Sequence, residues 1–267
     1  MSPGRVLQAL SIVGFLFTSV ISATAQEINT IKAGVVRIEN TKQQDQNVGT
    51  GFVVKINGTN IYVVTAAHIV RGDQHPNVYL FNQGFQPLSA TVIDMEEDDV
   101  KGLALLLVNT TEQSAAKLVA IKLRSTSDLG NGENVRVIGF PGGTSIWTVD
   151  SGTIKRLEGR NLVLSGAISG GNSGGPIVLG QHSIGLVTDV SQADGFATRA
   201  ESLLTYVNGF LPAPVSIDSP SQTITLTLSL DKIVVHQDGS IKKTSWNFEV
   251  FAGKTLIIPL GERGFDQ

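Results

Sequence analysis

The feature that most constrains the fold is a succession of short β-type runs between Ala33 and Thr188, each bounded by turn residues. Regular short strands with turns between them are typical of a sandwich or a barrel. Most of the 29 glycines stand at the ends of these runs, where tight turns need a positive φ. The sequence therefore predicts an all-β fold, with strands over 34–38, 51–56, 61–65, 78–81, 103–108, 135–140, 162–164, 177–179 and 184–188.

One helix is predicted after the last of these strands. Apolar side chains recur at helical spacing from Leu203 to Leu211. Thr198 and Glu201 precede them with the spacing of a capping box, and Gly209 is expected to end the helix. A main domain over 26–211 therefore closes with a short helix.

The composition changes after this helix. Residues 212–221 are rich in proline and serine and predict a linker. From Thr223 to Leu230 hydroxyl and aliphatic side chains alternate, as in a strand with one buried face, and Asp238-Gly239 is typical of a hairpin turn. Residues 222–267 are therefore predicted to form a small antiparallel β module, to which the sequence assigns no role.

The first 25 residues have the pattern of a secretory signal. Arg5 precedes an apolar run from Val6 to Val20, and Ala23-Thr24-Ala25 supplies the small residues of a cleavage site. Polar residues interrupt the run, which favours a removable signal over a permanent span of about 20 apolar residues. We expect cleavage after Ala25 and a secreted or periplasmic protein without stable membrane insertion; an uncleaved anchor is the alternative.

Composition and charge argue against several classes of function. The chain has no cysteine, so neither disulfides nor thiolate metal sites contribute. A net charge of −3 without runs of Lys or Arg argues against nucleic acid as a partner. The 4 histidines lack the paired spacing of a zinc site, and no dinucleotide fingerprint occurs. We therefore expect no metal ion and no cofactor.

Ser173 is the candidate nucleophile, in the segment SGGNSGGP at 169–176. Acyl transfer needs a hydroxyl on a tight turn, with backbone N–H groups aimed at the oxygen that becomes negative. The flanking glycines allow that geometry, and the N–H groups of Gly171 and Ser173 are the predicted oxyanion donors. A plain surface loop or a phosphate cradle is the alternative, but the segment runs into an apolar strand and no Lys-Ser/Thr pair follows.

His68 is the candidate general base, in the segment TAAH at 65–68 directly after a predicted strand. Ser173 is a poor nucleophile at neutral pH unless a neighbouring imidazole takes its proton. A lone histidine is more often structural. The assignment therefore depends on its pairing with Ser173.

Four motifs follow one another in order along the chain: GTGFVV at 49–54, TAAH at 65–68, IGFPG at 138–142 and GNSGGP at 171–176. Together they resemble the trypsin-like (chymotrypsin-fold) serine peptidases, in particular an HtrA-like branch without the PDZ domain. The resemblance covers roughly residues 33 to 210. It implies two six-stranded antiparallel β-barrels, with His68 from the first and Ser173 from the second meeting in a cleft.

The same resemblance implies a carboxylate that orients the catalytic imidazole, directly before a Leu-Ala-Leu-Leu strand. In this sequence the residue at that position is Gly102. Acidic residues lie slightly upstream. Asp99 is the predicted third member of the triad, with Asp98 and Asp94 as alternatives.

The resemblance also places Ala167 at the base of the primary substrate pocket and Val187 and Thr188 in its wall. None of the three is acidic, so we expect a small or medium apolar side chain to fit there rather than Lys or Arg. The neighbouring Asp189 is the residue that could alter this preference.

Three functions stay open at this level. The leading one is an exported serine endopeptidase that acts on protein or peptide substrates through an acyl-enzyme on Ser173. The second is a binding or scaffold protein of the same fold with weak or no activity, which Gly102 makes credible. The third is an esterase that uses the same triad.

Overall fold

The structure is a computed structural model that describes residues 25–42, 48–80, 86–97, 101–144, 146–166, 169–190, 194–219, 230–235 and 241–246. The chain divides into two compact units, residues 1–218 and 219–267. The predicted signal segment, residues 1–24, lies outside the described residues. Within the described parts, every helix is too short or too polar to cross a membrane.

The first half of the larger unit is a closed six-stranded antiparallel barrel in the order β1-β2-β3-β6-β5-β4. Its strands are β1 Val35–Glu39, β2 Val48–Asn57, β3 Asn60–Ala66, β4 Asn77–Leu80, β5 Pro87–Met95 and β6 Leu103–Asn109. β3 buries every side chain from Ile61 to Ala66, on both of its faces. Burial of each large aliphatic side chain contributes about 1.5–3 kcal/mol, which supports a fold that has no disulfide.

A second antiparallel barrel follows in the order β11-β8-β9-β10-β13-β12, and β12 pairs with β11 to close it. Its strands are β8 Asn134–Gly139, β9 Thr148–Glu158, β10 Asn161–Gly166, β11 Pro176–Leu179, β12 His182–Val190 and β13 Gly195–Arg199. Two short strands, β7 Leu123–Arg124 and β14 Ile217–Asp218, extend the sheet beside β12 in parallel pairing. The all-β fold with two six-stranded barrels is therefore confirmed.

All nine predicted strands are present, but sequence patterning missed several others. β5 and β9 expose many polar side chains and lack a continuous apolar run. They form because each pairs along most of its length with a buried neighbour, β5 with β6 and β9 with β10. Pairing across the barrel, which local sequence does not display, decided these elements.

The described residues contain four α-helices: α1 Ala25–Lys32, α2 Ala67–Val70, α3 Glu112–Ala115 and α4 Ala200–Asn208. α4 is the predicted helix and ends at Gly209 as expected. The predicted capping box is wrong, since Arg199 is the N-cap residue and Thr198 belongs to β13. The Glu201 carboxylate instead accepts a hydrogen bond of 2.6 Å from the Thr126 N–H.

The smaller unit contains one described antiparallel pair, β15 Leu230–Val235 with β16 Ile241–Trp246. Leu230 lies opposite Trp246, and Val235 lies opposite Ile241. The predicted turn at 238–239 and the alternating residues 223–229 fall outside the described residues.

Candidate active site

His68 lies in α2, the short helix that directly follows β3. The Ala67 N–H donates a hydrogen bond of 2.8 Å to the Gly102 carbonyl oxygen. The backbone of Gly102 therefore lies against the turn that carries His68, but this position has no side chain to offer the imidazole.

Ser173 is buried, with 7% of its surface exposed, in the loop that precedes β11. Its carbonyl oxygen accepts a hydrogen bond of 2.9 Å from the Thr50 N–H. The next residue, Gly174, donates a hydrogen bond of 2.6 Å to the Val187 carbonyl oxygen. The loop is therefore held by β2 of the first barrel and by β12 of the second.

Thr65 links this loop to the motif of His68. Its hydroxyl donates a hydrogen bond of 2.7 Å to the carbonyl oxygen of Thr50, whose N–H binds Ser173. Thr65 belongs to β3, three residues before His68. The two motifs therefore meet where the barrels join. The side chains of His68 and Ser173, both described, do not hydrogen-bond to each other, and such bonds often tighten only when substrate is bound.

Glycine is required at two positions of the loop. Gly171 has φ +95° and Gly174 has φ +86°, which are strained for any residue with a side chain. A Cβ on Gly174 would overlap the Thr50 carbonyl oxygen, and one on Gly171 would overlap that of Phe140. The glycines thus allow the close backbone approach that the motif predicted.

The two predicted oxyanion donors belong to peptide groups whose carbonyls are held on the opposite side. The Gly170 oxygen accepts from the Gly142 N–H at 2.7 Å, and the Asn172 oxygen accepts from the Gly175 N–H at 2.8 Å. In a trans peptide the C=O and N–H point in opposite directions, so the N–H groups of the next residues point away from these bonds. Neither the Gly171 nor the Ser173 N–H donates to another described residue. The part of the chain that the structure describes therefore takes up neither donor.

The electrostatic surroundings of His68 favour the neutral imidazole. Burial lowers the pKa of His68 below its ordinary 6.5, the negative charge of Asp189 raises it, and the positive charge of Arg71 lowers it. The net shift is downward. A neutral ring at neutral pH is the form that a general base requires.

Of the three candidate carboxylates for the triad, the structure describes only Asp94. Asp98 and Asp99 lie outside the described residues. Asp94 is in β5, where its carbonyl oxygen accepts a hydrogen bond of 3.0 Å from the Tyr206 hydroxyl of α4. Its assignment as a triad member stays a prediction, as do those of Asp98 and Asp99.

Two acidic residues near these elements were not considered as partners of His68 in the sequence analysis. Glu96 accepts a hydrogen bond of 2.9 Å from the Leu103 N–H and pairs with Arg160 at 3.0 Å, so it joins the barrels structurally. Asp189, in β12, is the carboxylate whose charge acts on His68. Its place two residues after Val187 was the only sequence signal.

The predicted pocket residues are partly described. Ala167 lies outside the described residues. Val187 is buried among the core side chains of the second barrel, and Thr188 is buried with its hydroxyl bonded to the Phe196 carbonyl oxygen at 3.3 Å. A cavity of about 580 Å³ opens instead beside Gly152 and other residues of the second barrel. The predicted site residues that the structure describes, His68, Gly171, Ser173, Val187 and Thr188, do not line it.

The described residues contain no cluster of three or more His, Asp or Glu side chains that could hold a metal ion.

Residues 49–184 match the family model of the trypsin-like peptidase domain. The chain is 28% identical over 177 residues to the "Serine protease HtrA-like" of Staphylococcus aureus, covering 56% of this chain and 22% of that protein. It is 31% identical over 163 residues to the "Magnetosome formation protease MamE" of Paramagnetospirillum magneticum, covering 56% of this chain and 21% of that one. The chain thus spans about a fifth of the length of these relatives.

The fold is similar to that of a solved structure, the active form of the Rv3671c protease from M. tuberculosis. The TM-score is 0.56 at 24% identity, and the match covers 78% of this chain and 97% of that one. The fold, the family match and the relatives agree with one another. The chain therefore belongs to the trypsin-like peptidase family, a family of serine-type peptidases.

Proposed function

We propose that this protein is an exported serine endopeptidase with Ser173 as nucleophile and His68 as general base. One observation carries the proposal: the hydrogen bonds from the Thr50 N–H to Ser173 and from the Thr65 hydroxyl to Thr50 join the nucleophile loop to the strand that leads to His68. Relatives named as serine proteases support the same activity.

The reaction follows the acyl-enzyme route. The Ser173 Oγ attacks the scissile carbonyl carbon while His68 takes the hydroxyl proton. The N–H groups of Gly171 and Ser173 stabilise the negative oxygen of the tetrahedral intermediate. His68 then gives its proton to the leaving amine. Water attacks the ester with His68 again as base, and the acid product and free Ser173 are released.

Labelling with a fluorophosphonate tests this proposal. Ser173 would displace fluoride and form a covalent phosphonyl ester, so folded wild-type protein should be labelled. Ser173→Ala should not be labelled, and His68→Ala should react far more slowly. Ser169→Ala, a change of an exposed serine in the same loop, is the matched control and should behave like wild type.

Failure of the folded wild-type protein to react would contradict the proposal. That result would favour the second candidate, a binding protein of the same fold, for which the missing carboxylate at Gly102 is the specific observation. Casein and small-ester assays then separate a peptidase from an esterase.

Asp99 is proposed as the carboxylate that orients His68, with Asp98 and Asp94 as alternatives. Loss of this group from a triad lowers kcat by about 10⁴. Single alanine substitutions at the three positions should therefore identify one variant with such a loss. Full peptidase activity of Asp99→Ala would contradict the assignment to Asp99.

Export is proposed from the N-terminal segment. The mature protein should begin at Gln26, as Edman sequencing or intact mass of the exported form would show. A protein that retains residues 1–25 would contradict removal of the signal.

The proposed substrate is a peptide with a small or medium apolar side chain before the scissile bond. Ala167, Val187 and Thr188, the proposed pocket residues, carry no charge that would select Lys or Arg. A peptide panel that varies this position measures the preference, and strong cleavage after Arg would contradict it.

A further inference from the structure

We infer that Thr50, a residue of the first barrel, is a positioning residue that fixes the direction of the oxyanion donors in the second. This inference rests on the proposed function, because it assigns Thr50 a role in the same acyl transfer. Thr50 is fully buried, so it acts through the loop rather than by contact with substrate.

Thr50 uses all of its polar groups at the barrel junction. Its hydroxyl donates a hydrogen bond of 2.7 Å to the Gly171 carbonyl oxygen and accepts one of 3.0 Å from the Phe140 N–H. Its N–H donates to the Ser173 carbonyl oxygen at 2.9 Å. Its carbonyl oxygen accepts from the Thr65 hydroxyl at 2.7 Å. One residue therefore joins three segments that are far apart in sequence, those of Thr65, Phe140 and the nucleophile loop.

These bonds hold the peptide group that follows each oxyanion donor. The Gly171 carbonyl, held by the Thr50 hydroxyl, belongs to the peptide that follows the Gly171 N–H. The Ser173 carbonyl, held by the Thr50 N–H, belongs to the peptide that follows the Ser173 N–H. A flip of the peptide that follows either donor would therefore break a bond to Thr50.

The hydroxyl also fixes the turn that holds the preceding peptide. Phe140, which donates to Thr50, directly precedes the 3₁₀ turn Pro141–Gly143. The Gly142 N–H of that turn binds the Gly170 carbonyl oxygen, and this bond directs the Gly171 N–H. Loss of one hydroxyl would therefore loosen the Gly171 donor from two sides and leave the buried Phe140 N–H unpaired.

Thr50→Val tests this inference because valine keeps the branched shape and removes the hydroxyl. We expect kcat to fall about tenfold or more, with KM little changed, because the lost interaction acts on the transition state. Affinity for a peptide aldehyde, whose adduct with Ser173 carries the same oxygen, should fall in parallel with kcat/KM. Thr50→Ser keeps the hydroxyl and should restore most of the rate.

Thr126→Val is the matched control. Thr126 is also a fully buried threonine, but its hydroxyl binds Glu201 of α4 instead of the nucleophile loop. This variant should lose stability in urea and keep the kcat of its folded fraction. If Thr50→Val fails to fold, Thr50→Cys replaces it, because a thiol is only a weak hydrogen-bond donor. The kcat of Thr50→Cys should be lower than that of wild type and of Thr50→Ser, without complete loss of activity.

The outcomes separate the two proposals. If the wild-type protein does not react with fluorophosphonate, the proposed function fails and Thr50 has no reaction to support. If wild type reacts and Thr50→Val, or Thr50→Cys in its place, reacts at the same rate, only the role of Thr50 is overturned. That role is also overturned if Thr50→Ser reacts no faster than Thr50→Val or Thr50→Cys.

Discussion

Asn172 donates a 2.7 Å hydrogen bond from its side-chain Nδ2 to Oδ2 of Asp150, which joins the residue before Ser173 to strand β9. Asn172 is fully buried, and its Oδ1 has no partner among the described residues. The bond to Asp150 therefore anchors this side chain. The backbone carbonyl oxygen of Asn172 accepts a hydrogen bond from the Gly175 N–H. The nucleophile loop is thus held by a side chain of its own barrel as well as by Thr50.

Asp150→Ala should destabilise the protein and lower its turnover. The substitution leaves a buried amide without its acceptor, which costs about 1–3 kcal/mol. Urea unfolding and kcat on a peptide substrate measure the two effects. Asp150→Asn keeps an acceptor oxygen and should lose much less, so equal stability of the alanine variant and wild type would contradict this role.

Gly174→Ala should prevent folding or lower stability by several kcal/mol, because the new Cβ would overlap backbone at φ +86°. Gly180→Ala is the control, since Gly180 has φ +61° and nothing lies within 4 Å of a Cβ there. It bears only the conformational strain, about 1 kcal/mol. The urea midpoints of the two variants are compared. Similar midpoints would contradict the prediction, because they would show that the backbone moves to accommodate the new Cβ at position 174.

The pH dependence of kcat/KM should reflect the lowered pKa of His68. Burial disfavours the charged ring, so the acid limb of the profile should have its midpoint below 6.5. The opposing charges give a paired test. Asp189→Asn removes a negative charge and should move the midpoint lower, whereas Arg71→Gln removes a positive charge and should move it higher.

Both shifts should shrink at high salt, because mobile ions screen charge–charge interactions near the surface. Movement of the two variants in the same direction would contradict this electrostatic assignment. The measurement is made on each purified full chain at low and high ionic strength.

Glu201 should make stability depend on acid pH. Burial raises the pKa of Glu201, but the Thr126 N–H and the Ser125 hydroxyl donate to its carboxylate, and the net pKa lies below 4.5. A lowered pKa stabilises the folded state above the unfolded value and loses that contribution as pH falls through the folded pKa. Urea midpoints of wild type should therefore decline below pH 4.5.

Glu201→Gln should be less stable at pH 7 and should show a shallower decline below pH 4.5. Glu133→Gln, a change of an exposed glutamate, is the control and should follow the wild-type curve. Parallel acid curves for Glu201→Gln and wild type would contradict the assignment.

Sequence patterns located the strands that carry continuous apolar runs. β3 and β6 read as strands because almost all of their side chains are buried. β5 and β9 expose polar side chains, so no local signal marked them. α4 begins at Ala200 with Arg199 as its N-cap, and the Glu201 carboxylate binds Thr126 across the fold instead of forming a capping box. Such partners lie outside any local window of sequence.

The sequence by itself determined the residue types of the candidate site. A serine in a glycine-rich turn and a histidine at the end of a buried strand supply the hydroxyl, the base and the backbone freedom that acyl transfer uses. Those properties are local, so they can be read from neighbouring residues.

The tertiary structure alone decided what holds the site together. From the sequence, Thr50, Asp150 and Asp189 were assigned no role in holding the site, because their contacts depend on hydrogen bonds and charges between distant segments. Thr50 and Gly171, for example, are 121 residues apart. Barrel closure brings those segments into contact, and the proposed direction of the oxyanion donors depends on that contact.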